Sequence, residues 1–265
     1  MKRFPQQTKN PQRKTLFAVV TFLGPMLAFA ALAGGNTKND SFNKAKRALS
    51  QEVYFDNRVT LYCAAPYDAH GNIHLPEGFV ASQHPGRALR VEWEHIVPAE
   101  NFGRSFREWR EGHPLCVDKG KKPFKGRNCA EKLSKEFRRM HADMHNLAPA
   151  IGAVNAARKN YNFALLPEAD SAFGSCAFKI QDNKVEPPER ARGLIARTYL
   201  YMQAAYPRYA MGRPQRQLME AWDKTYPPDA WECTRARRIE AIQGNPNPIT
   251  QTRCKEVGLT ASASK

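Results

Sequence analysis

The sequence predicts an α+β fold: a single mixed domain, richer in helix than in strand. Three observations carry this. Segments with helical spacing outnumber segments that alternate. No internal repeat and no long linker divides the chain. Its 265 residues, 42% of them hydrophobic, are enough for one full core or two small ones.

The first 33 residues stand apart. Lys2, Arg3, Lys9, Arg13 and Lys14 form a basic lead without an acid, and Leu16–Ala33 is apolar. Ala31 and Ala33 are the small residues that a signal peptidase reads. Residues 1–33 are therefore expected to be a signal peptide removed on export, with 34–265 as the mature domain. The alternative is an uncleaved anchor. Gly24-Pro25 interrupts that run of 18 residues, which is marginal for a span. The mature form is expected to lack a membrane segment.

Residues 34–40 read as a frayed terminus, and 41–55 as a helix with Ser41 as N-cap. Residues 58–64, "RVTLYCA", read as a short strand. Residues 67–90 are rich in Gly, Pro and His and have no period, so a loop is expected. Residues 89–97, "LRVEWEHIV", read as a strand closed by Pro98. In residues 130–147, Leu133, Phe137, Met140 and Met144 fall at steps of four, three and four, the mark of a helix with one buried face. Residues 149–163 read as a helix with Pro149 in its first turn. Residues 176–181, "CAFKIQ", alternate as a strand does. Pro187-Pro188 introduces a helix over 189–206, and further helices are expected at 214–225 and 232–243.

Six cysteines behind an export signal point to three disulfides in an oxidising compartment. Fifteen pairings are open. Short loops favour Cys116–Cys129 and Cys233–Cys254, which leaves Cys63 with Cys176. The absence of any CxxC pair argues against a zinc ribbon.

The formal charge is +16. Without residues 1–33 the chain keeps 36 basic and 25 acidic residues, a net +11. Such a surface attracts polyanions in a salt-dependent way. Residues 119–139 alone carry nine basic residues against Glu131 and Glu136.

Four constellations could carry chemistry. Glu94-His95 offers a hard-cation ligand beside a base that titrates near neutrality. Neighbours on a regular strand point to opposite faces, so both serve one site only if the strand bends or ends there. Otherwise the pair is a polar interruption. His141 and His145 have HxxxH spacing, but Ala142 stands where a zinc protease carries Glu. Two histidines on a solvated helix face are the plainer reading. Asn155 shares a predicted face with Ile151 and Arg158, and its amide oxygen could ligate magnesium or simply be solvated. Arg127, in "KPFKGRNC", could hold a phosphate bidentately or be one more charge in a basic loop.

Taken together, "RVEWEHIVPAENFG", "GRNCAEK", "FRRMHADMHNLAPAIGAVNAARKNYNF", "PPERARGLIARTYLYM" and "IQGNPNPI" resemble the bacterial endonuclease I family of periplasmic and secreted nucleases, from about residue 45 to 254. The resemblance implies a ββα-metal (His-Me) finger. It implies a non-specific endonuclease that cuts DNA, and often RNA, to 5′-phosphate ends, in the periplasm or outside the cell. It makes His95 the general base and Arg127 the group that steadies the scissile phosphate. Glu94 and Asn155 become the ligands of one Mg2+, for which Mn2+ or Ca2+ could substitute. Beside the resemblance, the basic residues give a sequence-independent grip on the phosphate backbone, with Lys121, Lys122, Lys125, Arg127 and Arg158 as the expected nucleic-acid contacts, and a monomer is expected. Two departures stand out. Ala65 lies where relatives often carry a second cysteine, so one whole bridge is missing and the rigidity of residues 64–90 is in question. His141 lies where relatives often carry an acid. The competing readings are a non-catalytic exported DNA-binding protein or degenerate nuclease and, more distantly, a zinc protease.

Overall fold

Ser41 begins the first helix as predicted. Its hydroxyl accepts from the Lys44 amide at 3.3 Å, and α1 runs Phe42–Ala48 before widening into a π-helical turn, Leu49–Val53. The computed structural model describes residues 34–259 together with Met1. The predicted signal peptide lies, but for Met1, outside the described residues. Among those residues no helix is long and apolar enough to cross a membrane.

Residues 58–64 do not form the expected strand. Val59 makes an isolated bridge to Pro66, and residues 61–63 turn. The cause is local. Thr60 donates its amide to the Ala65 carbonyl and accepts the Ala65 amide on its hydroxyl, folding the chain back on itself. The turn aims Tyr62 inward, where it is 1% exposed. Residues 67–90 are irregular as predicted. Isolated bridges Tyr67–Ile73, Asn72–Arg90 and Phe79–Gly174 hold them without the second cysteine.

Strand β1, Val91–His95, leads through three short helices, α2 (Ala99–Gly103), α3 (Arg107–Arg110) and α4 (Arg127–Leu133), into α5 (Lys135–His141). The single helix expected over 130–147 is thus broken. Ser134 adopts an extended backbone and caps α5, its hydroxyl accepting from the Phe137 amide at 3.1 Å. Phe137, Met140 and Met144 are nevertheless buried as their spacing required. After a 3₁₀ turn, Met144–Asn146, the chain enters β2, Leu147–Ile151. Strands β1 and β2 pair antiparallel, from His95 opposite Leu147 to Val91 opposite Ile151.

Pro149 therefore lies in a strand and not in the first turn of a helix. Helix α6, Gly152–Arg158, begins three residues later. Gly152 permits the sharp exit: a Cβ there would sit 2.5 Å from the Arg87 carbonyl oxygen and 2.9 Å from a Glu92 carboxylate oxygen. The helix thus departs hard against β1, and β1–β2–α6 is one close-packed unit.

A second sheet follows, from β3 (Asn162–Phe163), β4 (Ser171–Phe173), β5 (Cys176–Gln181) and β6 (Lys184–Glu186), in the order β3-β6-β5-β4. The alternation of "CAFKIQ" is real: Cys176 and Phe178 are buried. Helices α7 (Glu189–Ala205), α8 (Arg213–Thr225) and α9 (Ala230–Gln243) match expectation to within two residues. Helix α10, Pro248–Glu256, was not predicted, although Asn247 at its cap and Pro248 in its first turn were readable. The architecture is α+β, with one core running from Leu61 to Trp222 and a smaller cluster joining α1, β2 and α9.

All three disulfides have the predicted partners: Cys63–Cys176, Cys116–Cys129 and Cys233–Cys254. Cys116–Cys129 closes the basic loop onto α4. Replacing both cysteines by serine should lower unfolding free energy by about 3 kcal/mol, the loop-closure entropy of a ring this short. Urea melts of the oxidised variant check this, and a loss below about 1 kcal/mol contradicts the entropic account.

Candidate active site

Strand β1 presents Glu92 and Glu94 at period two and ends at His95. Glu94 is 3% exposed. The Tyr62 hydroxyl donates to its Oε1 at 2.7 Å, and Arg158 Nη1 lies 3.4 Å from the same oxygen. Among the described residues no hydrogen bond reaches Oε2. Burial pushes the Glu94 pKa above the ordinary carboxylate value, with Arg158 and Tyr62 pulling against it.

Arg158 ends α6 with its guanidinium turned inward. It donates to the carbonyls of His95 (3.0 Å) and Ile96 (2.6 Å) and to the Tyr199 hydroxyl (3.3 Å). At 1% exposure it is no surface contact for a nucleic acid, which corrects the sequence expectation. It bolts α6 to the end of β1.

The His95 Nε2–H donates to the His141 carbonyl oxygen at 2.9 Å, which leaves Nδ1 as the ring's lone pair. Burial, reinforced by the neighbouring His141, holds the His95 pKa well below its ordinary value. The imidazole is therefore neutral at pH 7 and able to accept a proton.

Asn155 lies in α6. Its Nδ2 donates to Glu92 Oε2 at 2.8 Å, and Arg87 grips the same carboxylate through Nε at 2.7 Å and through Nη2. Glu92 thereby fixes which way the Asn155 amide faces and turns Oδ1 away as an acceptor. This role for Glu92 was missed, although the residue stands two before Glu94, on the same strand face.

Arg127 opens α4 immediately after Gly126, whose φ of 75° makes the turn. Glu94, His95, Arg127 and Asn155 all line one open cleft of about 640 Å³. Lys46 and Lys159 line it too. The sequence offered only their charge as a signal. Lys125 lines a different cavity, beside His113 and Phe124, and Lys121 and Lys122 are exposed on the stapled loop outside the cleft.

The donor set fits a hydrated hard cation. One carboxylate and one amide oxygen leave most positions to water, as magnesium prefers. Among the described residues no group of three or more His, Cys, Asp or Glu is placed to hold a metal.

Residues 43–254 match the family model described as Endonuclease I. The chain belongs to the endonuclease I family. It is similar to an extracellular deoxyribonuclease of Aeromonas hydrophila, 38% identical over 240 residues that cover 87% of this chain and 99% of the relative. A periplasmic deoxyribonuclease of the same organism is 39% identical, over 79% of this chain and 86% of the relative. Endonuclease-1 of Buchnera aphidicola subsp. Acyrthosiphon pisum is 38% identical, over 81% and 82%.

In this member of the endonuclease I family, His141 and His145 are neither solvated nor on one helix face. His141 ends α5, His145 sits in the 3₁₀ turn, and both are buried. His141 Nδ1 lies 2.9 Å from Glu131 Oε1, and His145 Nε2–H donates to the Asn245 carbonyl at 3.1 Å. Burial lowers the His145 pKa from 6.5 to about 4. The unfolded chain then binds a proton that the folded protein refuses. The neutral ring's contribution is complete above about pH 6.5 and is lost as pH falls towards about 4, roughly 3 kcal/mol in all. Unfolding free energies across this window should fall with acidity, and His145→Gln should flatten the fall.

Proposed function

We propose that the protein is an exported, divalent-metal-dependent endonuclease. It hydrolyses phosphodiester bonds of DNA, with RNA as a second substrate, without sequence preference, leaving 5′-phosphate ends. The observation that carries this is the meeting of Glu94, His95, Arg127 and Asn155 in one cleft, where the His95 imidazole is buried. Unit β1–β2–α6 serves as the ββα-metal finger.

His95 Nδ1 takes the proton of the attacking water, and the His141 carbonyl holds the ring in the tautomer that allows it. Arg127, exposed at the head of α4, binds a non-bridging phosphate oxygen. Glu94 and Asn155 would hold the cation, Mg2+ in the first instance, and when bound it would supply positive charge to the phosphate and the departing oxygen. Arg87, through Glu92, keeps the Asn155 amide oriented for that task. Lys121, Lys122 and Lys125 add a grip on the phosphate backbone that carries no sequence information.

Residues 1–33 act as the export signal, and three disulfides suit the periplasm or the extracellular medium. The mature protein acts as a monomer.

The test is conversion of supercoiled plasmid. With magnesium the protein should give nicked and then linear DNA, with fragments that ligate without prior phosphorylation. Chelator should abolish cutting, and added magnesium or manganese should restore it. Tight DNA binding with no cleavage under any divalent cation would favour an exported DNA-binding protein instead.

A further inference from the structure

We propose that the His141 side chain is a positioning residue for His95, and that Glu131 couples it to the helix that carries Arg127. This rests on the reading of His95 as the general base. The geometry is a layered stack. The His141 ring lies parallel to the His95 ring, with centroids 4.4 Å apart and planes 12° apart. Phe137 covers His141 in a second stacked contact at 5.4 Å and 16°. Phe42 closes the side, 4.9 Å from His95 and 4.7 Å from His141.

One residue therefore holds the base in two ways. The His141 carbonyl fixes rotation about the His95 ring axis by taking Nε2–H, and the His141 ring fixes the plane. The His141 ring is itself anchored by Nδ1 to Glu131 Oε1 at 2.9 Å. Glu131 stands one turn after Arg127 on α4, on the same side of the helix. The base and the phosphate-binding arginine are thus tied to one frame through a chain of three side chains.

A purely space-filling role fits less well. His141 is 3% exposed and its Nε2 is buried without a hydrogen-bond partner among the described residues. An orphaned polar nitrogen is destabilising, and a phenyl ring in its place would avoid that loss. A phenyl ring would also keep the stack while losing the tie to Glu131, which gives a clean comparison.

The test replaces the base. In His95→Gly, added imidazole should enter the vacated site from the cleft, stack on His141 and restore plasmid cleavage. Adding His141→Ala to that background should raise the half-saturating imidazole concentration by about three- to tenfold, the worth of one aromatic stack. Adding His141→Phe should change it by less than about twofold. Equal half-saturation in the parent and the His141→Ala background would overturn the proposal. If imidazole fails to rescue His95→Gly while the wild type cuts, the base reading is what fails. The single variants provide a second measurement: His141→Ala should lower kcat tenfold or more with KM for DNA unchanged, and His141→Phe, which keeps the stack but loses the tie to Glu131, should recover only part of it; full recovery would remove Glu131 from the proposal. Unchanged kcat in folded His141→Ala, or a rise in KM alone, would again overturn it.

Discussion

Replacing His95 by alanine should lower the turnover of DNA cleavage by about 10²–10⁴-fold, the range for loss of one positioned general base. DNA affinity should stay nearly constant, because the basic residues that grip the backbone are untouched. Three features of the ring produce this expectation. It is neutral, because burial holds its pKa well below the ordinary value. It has one tautomer, because Nε2–H is committed to the His141 carbonyl. It lies in the cleft that also holds Glu94, Arg127 and Asn155. Single-turnover cleavage beside a gel-shift titration separates the two quantities. A variant that cuts within about threefold of the wild type would remove His95 from the mechanism.

The second large effect is on folding. Arg158→Met should destabilise the protein by about 3–5 kcal/mol, since it leaves the buried Glu94 carboxylate without its partner. The arginine also satisfies two carbonyls at the end of β1, so its loss frees the backbone that presents His95. Combining it with Glu94→Gln should recover part of the stability, because the orphaned charge is then gone. Denaturant melts of the four proteins in this cycle measure the coupling. A fully additive double variant would mean that the pair does not interact.

Much of this site could be read from the sequence because its signals are local. Glu94 and His95 are adjacent, and Pro98 marks where the strand must stop, so an awkward pair became a plausible one. The disulfides followed from two short loops. Helix 189–206 was announced by Pro187-Pro188. What escaped notice depends on partners distant in sequence. Arg158 looked like a surface cation because nothing nearby reveals Glu94, 64 residues earlier. Nothing near Glu92 in sequence reveals that α6 brings Asn155 against it.

Two errors of secondary structure have physical causes as well. Phe137, Met140 and Met144 are buried as their spacing suggests, although the chain restarts at Ser134 and carries Met144 in a 3₁₀ turn beyond the end of α5. Pro149 was read as a helix start, yet a two-stranded ribbon has an open edge where its missing N–H breaks no ladder.

The central claim is a division of labour between adjacent residues: Glu94 for the metal, His95 for the water. Calorimetric titration of Mn2+ into the wild type and into His95→Ala, Glu94→Gln and Asn155→Ala tests it most directly. The account predicts one bound ion in the wild type, the same affinity in His95→Ala, and affinity weakened by about tenfold or more in the other two. Metal binding lost in His95→Ala, or unchanged in both Glu94→Gln and Asn155→Ala, would contradict it.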